Sequence, residues 1–524
     1  MKNIIFNNQY FIKLYCVFLC AIGWSCAQEP TPFDHFIANR STSFDLLIKN
    51  GEMIDGTGVP PVQADVLVNG DTIVFVGKVD TTKITAGQTM DASGMVVTPG
   101  FIDTHAHGDP LETPAFENFL AMGVTTIFLG KDGGSPAVED IGTWMQQVAD
   151  TIPGVNIGMF VGHGTLRMMT KVNYHQRPTE EMLQKMGDLL KSQLDAGCFG
   201  MTTGLEYIPG MYAPAYELEY LAKIVGEHDK LITSHIRNED DDALEASIRE
   251  LLQQGKYAQV HVSHLKSVFG KGAARAQEIL DLLEQARQDD IAVTADVYPY
   301  TASFTGIGIV FPDWAKTPND YKQVVRTRRN ELATFLRNKV NQRNGPEATL
   351  LGTPPYAGKT LAQIAAEKSK SFEDVLIDDI GPTGASGAYF VMDDTLQETF
   401  LQAPFVMVCS DGSPTMRHPR GYGSFAKIIE TYVQEKQLFP LEEAVRKMTY
   451  LPAQTMHLPD RGHLAEGKKA DILVFDPQNV KAMATFEEPH QLAQGFSYVI
   501  VNGKIARSDG GMDTKRYGQV LKAK

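Results

Sequence analysis

Between residues 96 and 410 the sequence repeats one alternation eight times: a short apolar run, a polar or glycine-containing break, then a segment of helical periodicity. Strands spaced by helices pair in parallel through crossovers, and the resulting sheet is covered on both faces. The eight candidate strands are 96–103, 124–130, 156–162, 199–204, 231–236, 258–264, 292–297 and 405–410. Helical patterns follow them, as at 179–194 and 242–254. The fold class this predicts is α/β, a (β/α)8 TIM-like barrel over residues 101–465. The stretch 304–402 is too long for a bare connection and has its own helical pattern at 321–341, so it reads as a subdomain inserted between strands 7 and 8.

The chain ends have a different texture. Short β-rich runs at 46–48, 65–68 and 73–76 are separated by Asn50-Gly51 and Asn69-Gly70, which read as hairpin turns. Runs at 470–475 and 498–501, the latter followed by Asn502-Gly503, repeat that texture far away. The expectation is a composite β-sandwich domain built from 42–100 and 466–507. Before it, an apolar run at 14–23 sits behind Lys2 and Lys13 and ends in Ser25-Cys26-Ala27. That run is too short to span a bilayer and reads as a secretory signal peptide over 1–25. It implies an exported bacterial protein, periplasmic or anchored in a membrane by a lipid on Cys26, with simple cleavage after Ala27 as the alternative. Beyond the signal only Cys198 and Cys409 remain, which excludes a disulfide framework. The 63 acidic against 48 basic residues, a net charge of −15, would repel a phosphate backbone, so nucleic acid is excluded as a partner.

The densest chemical signal is Gly100-Phe101-Ile102-Asp103-Thr104-His105-Ala106-His107. Residues two apart on a strand share a face, so His105 and His107 can both reach one cation at the barrel's C-terminal mouth. His235 ends the fifth predicted strand, His264 the sixth, and Asp411 follows the eighth. Barrel chemistry sits at strand C-termini, so these five side chains are expected to converge. Four imidazoles and a carboxylate suit Zn2+, as one or two ions, or another divalent metal. His261, three residues before His264, faces the other way under strict alternation and reads as a packing residue.

At this point the sequence resembles the N-acyl-D-amino-acid deacylases, or D-aminoacylases, of the amidohydrolase superfamily. The motifs that carry the resemblance run from about Phe44 to Arg507. They are GFIDTHAH, Gly162-His163-Gly164-Thr165-Leu166-Arg167, Gly204-Leu205-Glu206-Tyr207-Ile208-Pro209-Gly210, SHIRNE from Ser234, SHLKS from Ser263, DVYPYTA from Asp296, CSDG from Cys409 and HPRGYGSF from His418. The resemblance implies a β-sandwich plus (β/α)8 architecture, zinc, and hydrolysis of the amide of a small N-acyl-D-amino acid. In the family a metal-binding cysteine follows the second strand, whereas this chain reads Phe128-Leu129-Gly130-Lys131-Asp132-Gly133. Asp132 stands in its place, either as an oxygen ligand or as part of an Asp-Gly turn, with a carbamylated Lys131 as an alternative. The fourth strand has no lysine, unlike the hydantoinase and dihydroorotase pattern.

Asp411 is expected to be the general base and acid, because a carboxylate beside a cation stays ionised and can accept a proton. The resemblance implies that Lys266 and Tyr298, with Arg420 as a further candidate, bind the substrate's α-carboxylate. Tyr207 can donate to the scissile carbonyl, His163 is expected to line the pocket, and Phe304 falls where the family carries a polar substrate contact. Two other readings are hydrolysis of a D-residue dipeptide or cyclic amide on the same scaffold, and a binding protein that has lost its chemistry with the cysteine.

Overall fold

The computed structural model describes residues 31–524, so the predicted signal peptide and Cys26 lie outside the described residues. Residues 31–41 carry one short helix, Pro32–Ile37, whose first turn is closed by a reciprocal cap between Thr31 and Asp34. Thr42–Lys524 forms the second compact unit. Among the described residues no helix is long and apolar enough to cross a membrane.

The second unit opens with strands β1 (Ser43–Met53), β2 (Val62–Asn69), β3 (Thr72–Gly77), β4 (Thr85–Asp91) and β5 (Val96–Pro99). β1 pairs antiparallel with β2 and parallel with both β4 and β5. Asn69-Gly70 makes the expected hairpin into β3, but Asn50-Gly51 does not turn the chain. It is a bulge inside β1, where Asn50 takes φ 63° and its N–H donates to Asp65 Oδ1 at 2.9 Å. A Cβ on Gly51 would meet Val97 Cγ2 at 2.4 Å, so the bulge lets β1 lie against β5.

The predicted run 96–103 is two strands. Its first half is β5, and after Gly100 the chain enters the barrel as β6 (Phe101–Asp103). Gly100 sits where a Cβ would lie 2.2 Å from Thr125 Oγ1, which leaves room only for glycine at the switch. The barrel continues with β7 (Val124–Leu129), β8 (Asn156–Met159), β9 (Val161–Gly162), β10 (Gly200–Gly204), β11 (Leu231–His235), β12 (Gln259–Val262) and β13 (Val293–Val297). β8 and β9 are one run interrupted at Phe160, β8 pairing with β7 and β9 with β10. Helices such as Glu180–Asp195, capped by Thr179, return the chain between strands.

The stretch after β13 builds a three-stranded antiparallel sheet from β14 (Ser303–Gly306), β15 (Thr349–Leu351) and β16 (Ser386–Tyr389). The helical pattern at 321–341 is split into Pro318–Thr327 and Arg329–Gln342, because Arg328 leaves helical geometry at φ −137°, ψ 27°. Val324, Leu332, Leu336 and Val340 pack with Leu361, Ile364 and Leu376 into a core separate from the barrel's. Helix Asp394–Gln402 packs on barrel helix Gly272–Gln288, so it belongs to the barrel's outer ring and not to the inserted sheet.

β17 (Val406–Val408) pairs with β13. Just beyond it, Asp411 N–H donates to His105 O at 2.8 Å and His107 N–H to Gly412 O at 2.8 Å, joining the last strand end to the first. β18 (Ile472–Phe475), β19 (Tyr498–Val501), β20 (Lys504–Ser508) and β21 (Gly511–Met512) then extend the N-terminal sheet, β18 pairing with β5. Asn502 and Gly503 turn β19 into β20 with φ 49° and 76°, the two left-handed residues a tight hairpin needs. Both chain ends therefore share one nine-stranded sheet around Leu46, Val66, Val97, Ile472 and Ile500.

Candidate metal centre

The strand ends are tied together by two buried carboxylates before any ligand is considered. Asp103 ends β6, and one of its oxygens accepts from His105 N–H at 3.1 Å and from Ser410 N–H at 3.0 Å, while the Ser410 hydroxyl donates to the other. Burial pushes the Asp103 carboxyl up to about 7, against the lowering effect of those hydrogen bonds. Asp296, on β13, accepts from His264 N–H at 2.5 Å and from the Thr104 hydroxyl at 2.5 Å, and lies 2.9 Å from His261 Nε2. Burial opposes its ionisation, but His261 and His105 hold it well below the usual carboxylate range. His261 is thus part of the brace behind the site, with Thr294 Oγ1 2.8 Å from its Nδ1.

Three side chains at the centre stand on backbone that L-residues seldom adopt: Asp132 at φ 53°, His264 at 38° and Asp411 at 49°. Left-handed backbone at such residues costs on the order of 1–3 kcal/mol each and persists where surrounding contacts over-determine it. Gly133 continues the left-handed turn at φ 74°, and a Cβ there would come within 2.8 Å of Gly204 N. The Asp132-Gly133 turn and the ligand reading of Asp132 are therefore compatible: the turn aims the carboxylate.

His105, His107, Asp132 and Asp411 converge, one ligand atom from each lying within 4.8 Å of the others. His105 Nε2 is 3.2 Å from Asp132 Oδ1 and 3.7 Å from Asp411 Oδ1, and His107 Nε2 is 3.5 Å from Asp132 Oδ2 and 3.1 Å from Asp411 Oδ1. Asp132, His235 and His264 form a second group. His264 Nε2 lies 3.3 Å from Asp132 Oδ1 and 3.0 Å from His235 Nδ1. Both groups suit a divalent cation. Buried His105 has no hydrogen-bond partner on either ring nitrogen despite the closeness of two carboxylates, a pair of orphaned atoms that a bound cation would engage.

The outer nitrogens of the second pair are held by carboxylates. His235 Nε2 is 3.0 Å from Glu206 Oε2, and His264 Nδ1 is 3.1 Å from Glu239 Oε1 and 2.8 Å from Lys266 Nζ. A carboxylate on the far nitrogen fixes a ligand's tautomer and orientation. Asp411 is clamped from behind by Arg420 Nη1 at 2.9 Å from Oδ2; burial opposes its ionisation, but Arg420 together with His264, His107 and His105 holds the carboxylate well below its ordinary range.

The cavity over the centre encloses about 290 Å³, and Tyr207, Lys266, Tyr298 and Arg420 all line it, together with Phe304. Lys266 and Arg420 lie over the Tyr298 ring, 5.8 and 4.7 Å from its centroid. Tyr298 OH donates towards Met392 Sδ at 3.6 Å, and Tyr207 OH accepts from the Thr305 hydroxyl at 3.2 Å. Two expectations are corrected. Lys131 is not with the ligands: its amine sits 4.0 Å above the Phe160 ring and donates to Thr233 Oγ1 at 3.4 Å. His163 does not line the cavity; it is buried 2.7 Å from Glu217, the carboxylate that also takes two hydrogen bonds from buried Arg167.

Sequence reasoning passed over Asp103, Glu206, Glu239 and Asp296 as site residues. Each lies in a stretch the motifs singled out, and Asp103, two before His105, shares its strand face by simple alternation.

Comparison with known proteins agrees with this geometry. The chain is 33% identical over 485 residues to the N-acyl-D-glutamate deacylase of Alcaligenes xylosoxydans xylosoxydans, covering 88% of this chain and 93% of that one. The chain belongs to the N-acyl-D-amino-acid deacylase family of amidohydrolases. A profile of the Amidohydrolase family matches residues 348–507. The fold superposes with TM-score 0.79 on the N-acyl-D-glutamate deacylase of Bordetella bronchiseptica, solved with zinc and a phosphonate mimic of the tetrahedral intermediate, at 32% identity over 92% of this chain and all of that one. It superposes equally, at 30% identity over 91% of this chain and 100% of the other, on a D-aminoacylase described as having a binuclear metal centre with one-metal activation and second-metal attenuation.

The titration of the ligands gives a test. Burial opposes charge on His107, but Asp132 and Asp411 raise it to about 9. Burial and Lys266 oppose charge on His264, but Asp132, Glu239 and Asp411 raise it to about 10. Both rings carry a proton at pH 7 that a metal ligand must give up. Zinc affinity should rise between pH 6 and 8 by about tenfold per unit for each proton displaced. Titration calorimetry in buffers of different ionisation enthalpy should find one to two protons released at pH 7; release of none contradicts the assignment.

Proposed function

We propose that this protein is a metal-dependent amidase that hydrolyses N-acyl-D-amino acids to a carboxylate and a free D-amino acid. The observation that carries the reading is the convergence of His105, His107, Asp132, His235, His264 and Asp411 at one mouth of the barrel. His105, His107 and Asp132 would hold one Zn2+, and Asp132, His235 and His264 a second. A divalent cation bound there polarises an acyl carbonyl and makes water acidic enough to ionise near neutral pH.

The chain's own groups do the rest. Asp411, kept ionised by Arg420, accepts the proton of the attacking water and returns it to the leaving nitrogen. Lys266, anchored by Glu239 at 2.6 Å, and Arg420 present cations on the Tyr298 side of the cavity, where the substrate's α-carboxylate belongs. Arg420 keeps its buried Nε without a partner, a donor suited to that carboxylate. Tyr207 offers a hydroxyl to the carbonyl oxygen. The preference for the D-enantiomer is supported by the family. Cleavage of a D-residue dipeptide or cyclic amide is the second reading on this scaffold.

Export to the periplasm, as a lipoprotein anchored through Cys26, is supported by the N-terminal sequence alone. Cys26→Ala should move the protein from the membrane fraction to the soluble one; wild-type protein already soluble, with its N-terminus at Gln28, would remove the lipid.

On a panel of N-acetyl-D- and N-acetyl-L-amino acids, hydantoin and dihydroorotate, the zinc enzyme should turn over the N-acetyl-D compounds. Turnover of only a cyclic amide would replace the reading. Asp411→Asn, assayed at saturating zinc, should lose on the order of 10²- to 10⁴-fold in kcat. Retained activity removes Asp411 from proton transfer.

A further inference from the structure

The turn that carries Asp132 has no strand or helix of its own to hold it. β7 ends at Leu129, and residues 130–140 contain no regular element. Lys131 O accepts from Gly134 N–H at 2.9 Å across Asp132 and Gly133, whose φ values of 53° and 74° follow the pattern of a type I′ turn. One internal hydrogen bond shapes the turn but does not fix where it points.

Two buried threonines on neighbouring elements grip it. Thr202, in β10, donates its hydroxyl to Gly130 O at 2.6 Å and accepts from Gly133 N–H at 3.2 Å, so its two bonds fall on either side of Asp132. Thr165, in helix His163–Met169, donates its hydroxyl to Ser135 O at 3.1 Å and accepts from Ser135 N–H at 3.0 Å. Its own N–H donates to Gly133 O at 3.1 Å. The Ser135 hydroxyl in turn accepts from Gly162 N–H at 3.0 Å.

β10 is not the neighbour of β7 in the barrel, because β8 and β9 stand between them. The turn reaches Thr202 by folding across the end of β9, and it can do so because Gly162 has no side chain: a Cβ there would lie 2.5 Å from Gly133 O. Neither threonine lines the cavity over the centre. Their hydroxyls are spent on the backbone of one turn, and that turn presents the one carboxylate common to both ligand groups.

We propose that Thr202 and Thr165 are positioning residues for the metal centre: their hydroxyls fix the turn that aims Asp132 and so set the affinity for the cation. The inference rests on the reading of Asp132 as a ligand. A ligand must be held to a fraction of an ångström, and the groups that hold it from behind govern metal affinity nearly as strongly as the ligand itself.

The test is titration calorimetry of zinc into the metal-free wild type, Thr202→Val, Thr202→Ser, Thr165→Val and Asp132→Ala, with thermal unfolding of each metal-free protein alongside. Valine keeps the shape of threonine and removes the hydroxyl. Thr202→Val and Thr165→Val should each bind zinc on the order of 10- to 100-fold more weakly than wild type, and Thr202→Ser, which keeps a hydroxyl, should bind close to wild type. Because Asp132 belongs to both groups, the loss should fall on every zinc the wild type binds. A folded valine variant that binds zinc like wild type while Asp132→Ala does not, even with a lowered unfolding temperature, removes that threonine from the role and leaves Asp132 a ligand. Thr202→Ser as weak as Thr202→Val overturns the assignment to the hydroxyl. Failure of both valine variants to fold overturns the inference too, since the hydroxyls would then hold the barrel and not the turn. Wild-type zinc affinity in Asp132→Ala overturns the ligand reading and the inference together.

Discussion

The Asp132 carboxylate stands between two pairs of imidazoles, within 3.5 Å of His105, His107 and His264, and His264 in turn meets His235. A single carboxylate can serve both pairs only if it is aimed from a backbone geometry that ordinary strands do not provide. The left-handed Asp132-Gly133 turn provides it, and Gly204 at the end of β10 leaves the room. A carboxylate at this point is a hard oxygen donor, which tilts the preference slightly away from thiophilic ions.

Convergence at the mouth depends on the brace beneath it. Asp103 fastens the first strand end to the last, and Asp296 fastens His264 to Thr104, so the strand ends carrying His105 and His107, His264 and Asp411 are positioned through two buried carboxylates. The two have opposite protonation tendencies because their surroundings differ: Asp103 meets neutral donors, while Asp296 faces two histidines. Around the cavity Lys266 is matched to Glu239 and Arg420 to Asp411. On the proposed reading, an arriving substrate carboxylate would meet cations already held in place, which would reduce the entropy lost on binding.

Much of this was legible in the residues. The eight-fold alternation gave the barrel, and the strand-end positions of His105, His107, His235, His264 and Asp411 gave the centre, because strand periodicity and barrel polarity are local and global rules that agree here. Asn50-Gly51 misled because a bulge and a hairpin use the same left-handed asparagine, and only the distant β5 decides between them. The split at Gly100 was marked by Pro99-Gly100 but passed over, because Val96-Val97 and Phe101-Ile102 read as one strand and the change of sheet depends on contact with Thr125. The supporting acids Asp103, Glu206, Glu239 and Asp296 were passed over since an acid near a strand end reads equally as turn, ligand or solvent-facing residue until its partner is seen. His163 was placed in the pocket by its motif, whereas Glu217, far along the chain, draws it into a buried hydrogen bond.

A crystal of the zinc-loaded protein, with anomalous scattering recorded at the zinc edge, addresses the central claim most directly. The account predicts a peak about 2.0–2.2 Å from His105 Nε2, His107 Nε2 and an Asp132 oxygen, or from Asp132, His235 and His264, with Asp132 common to both positions. Zinc bound with Asp132 outside its coordination sphere, or a peak away from these strand ends, would contradict it.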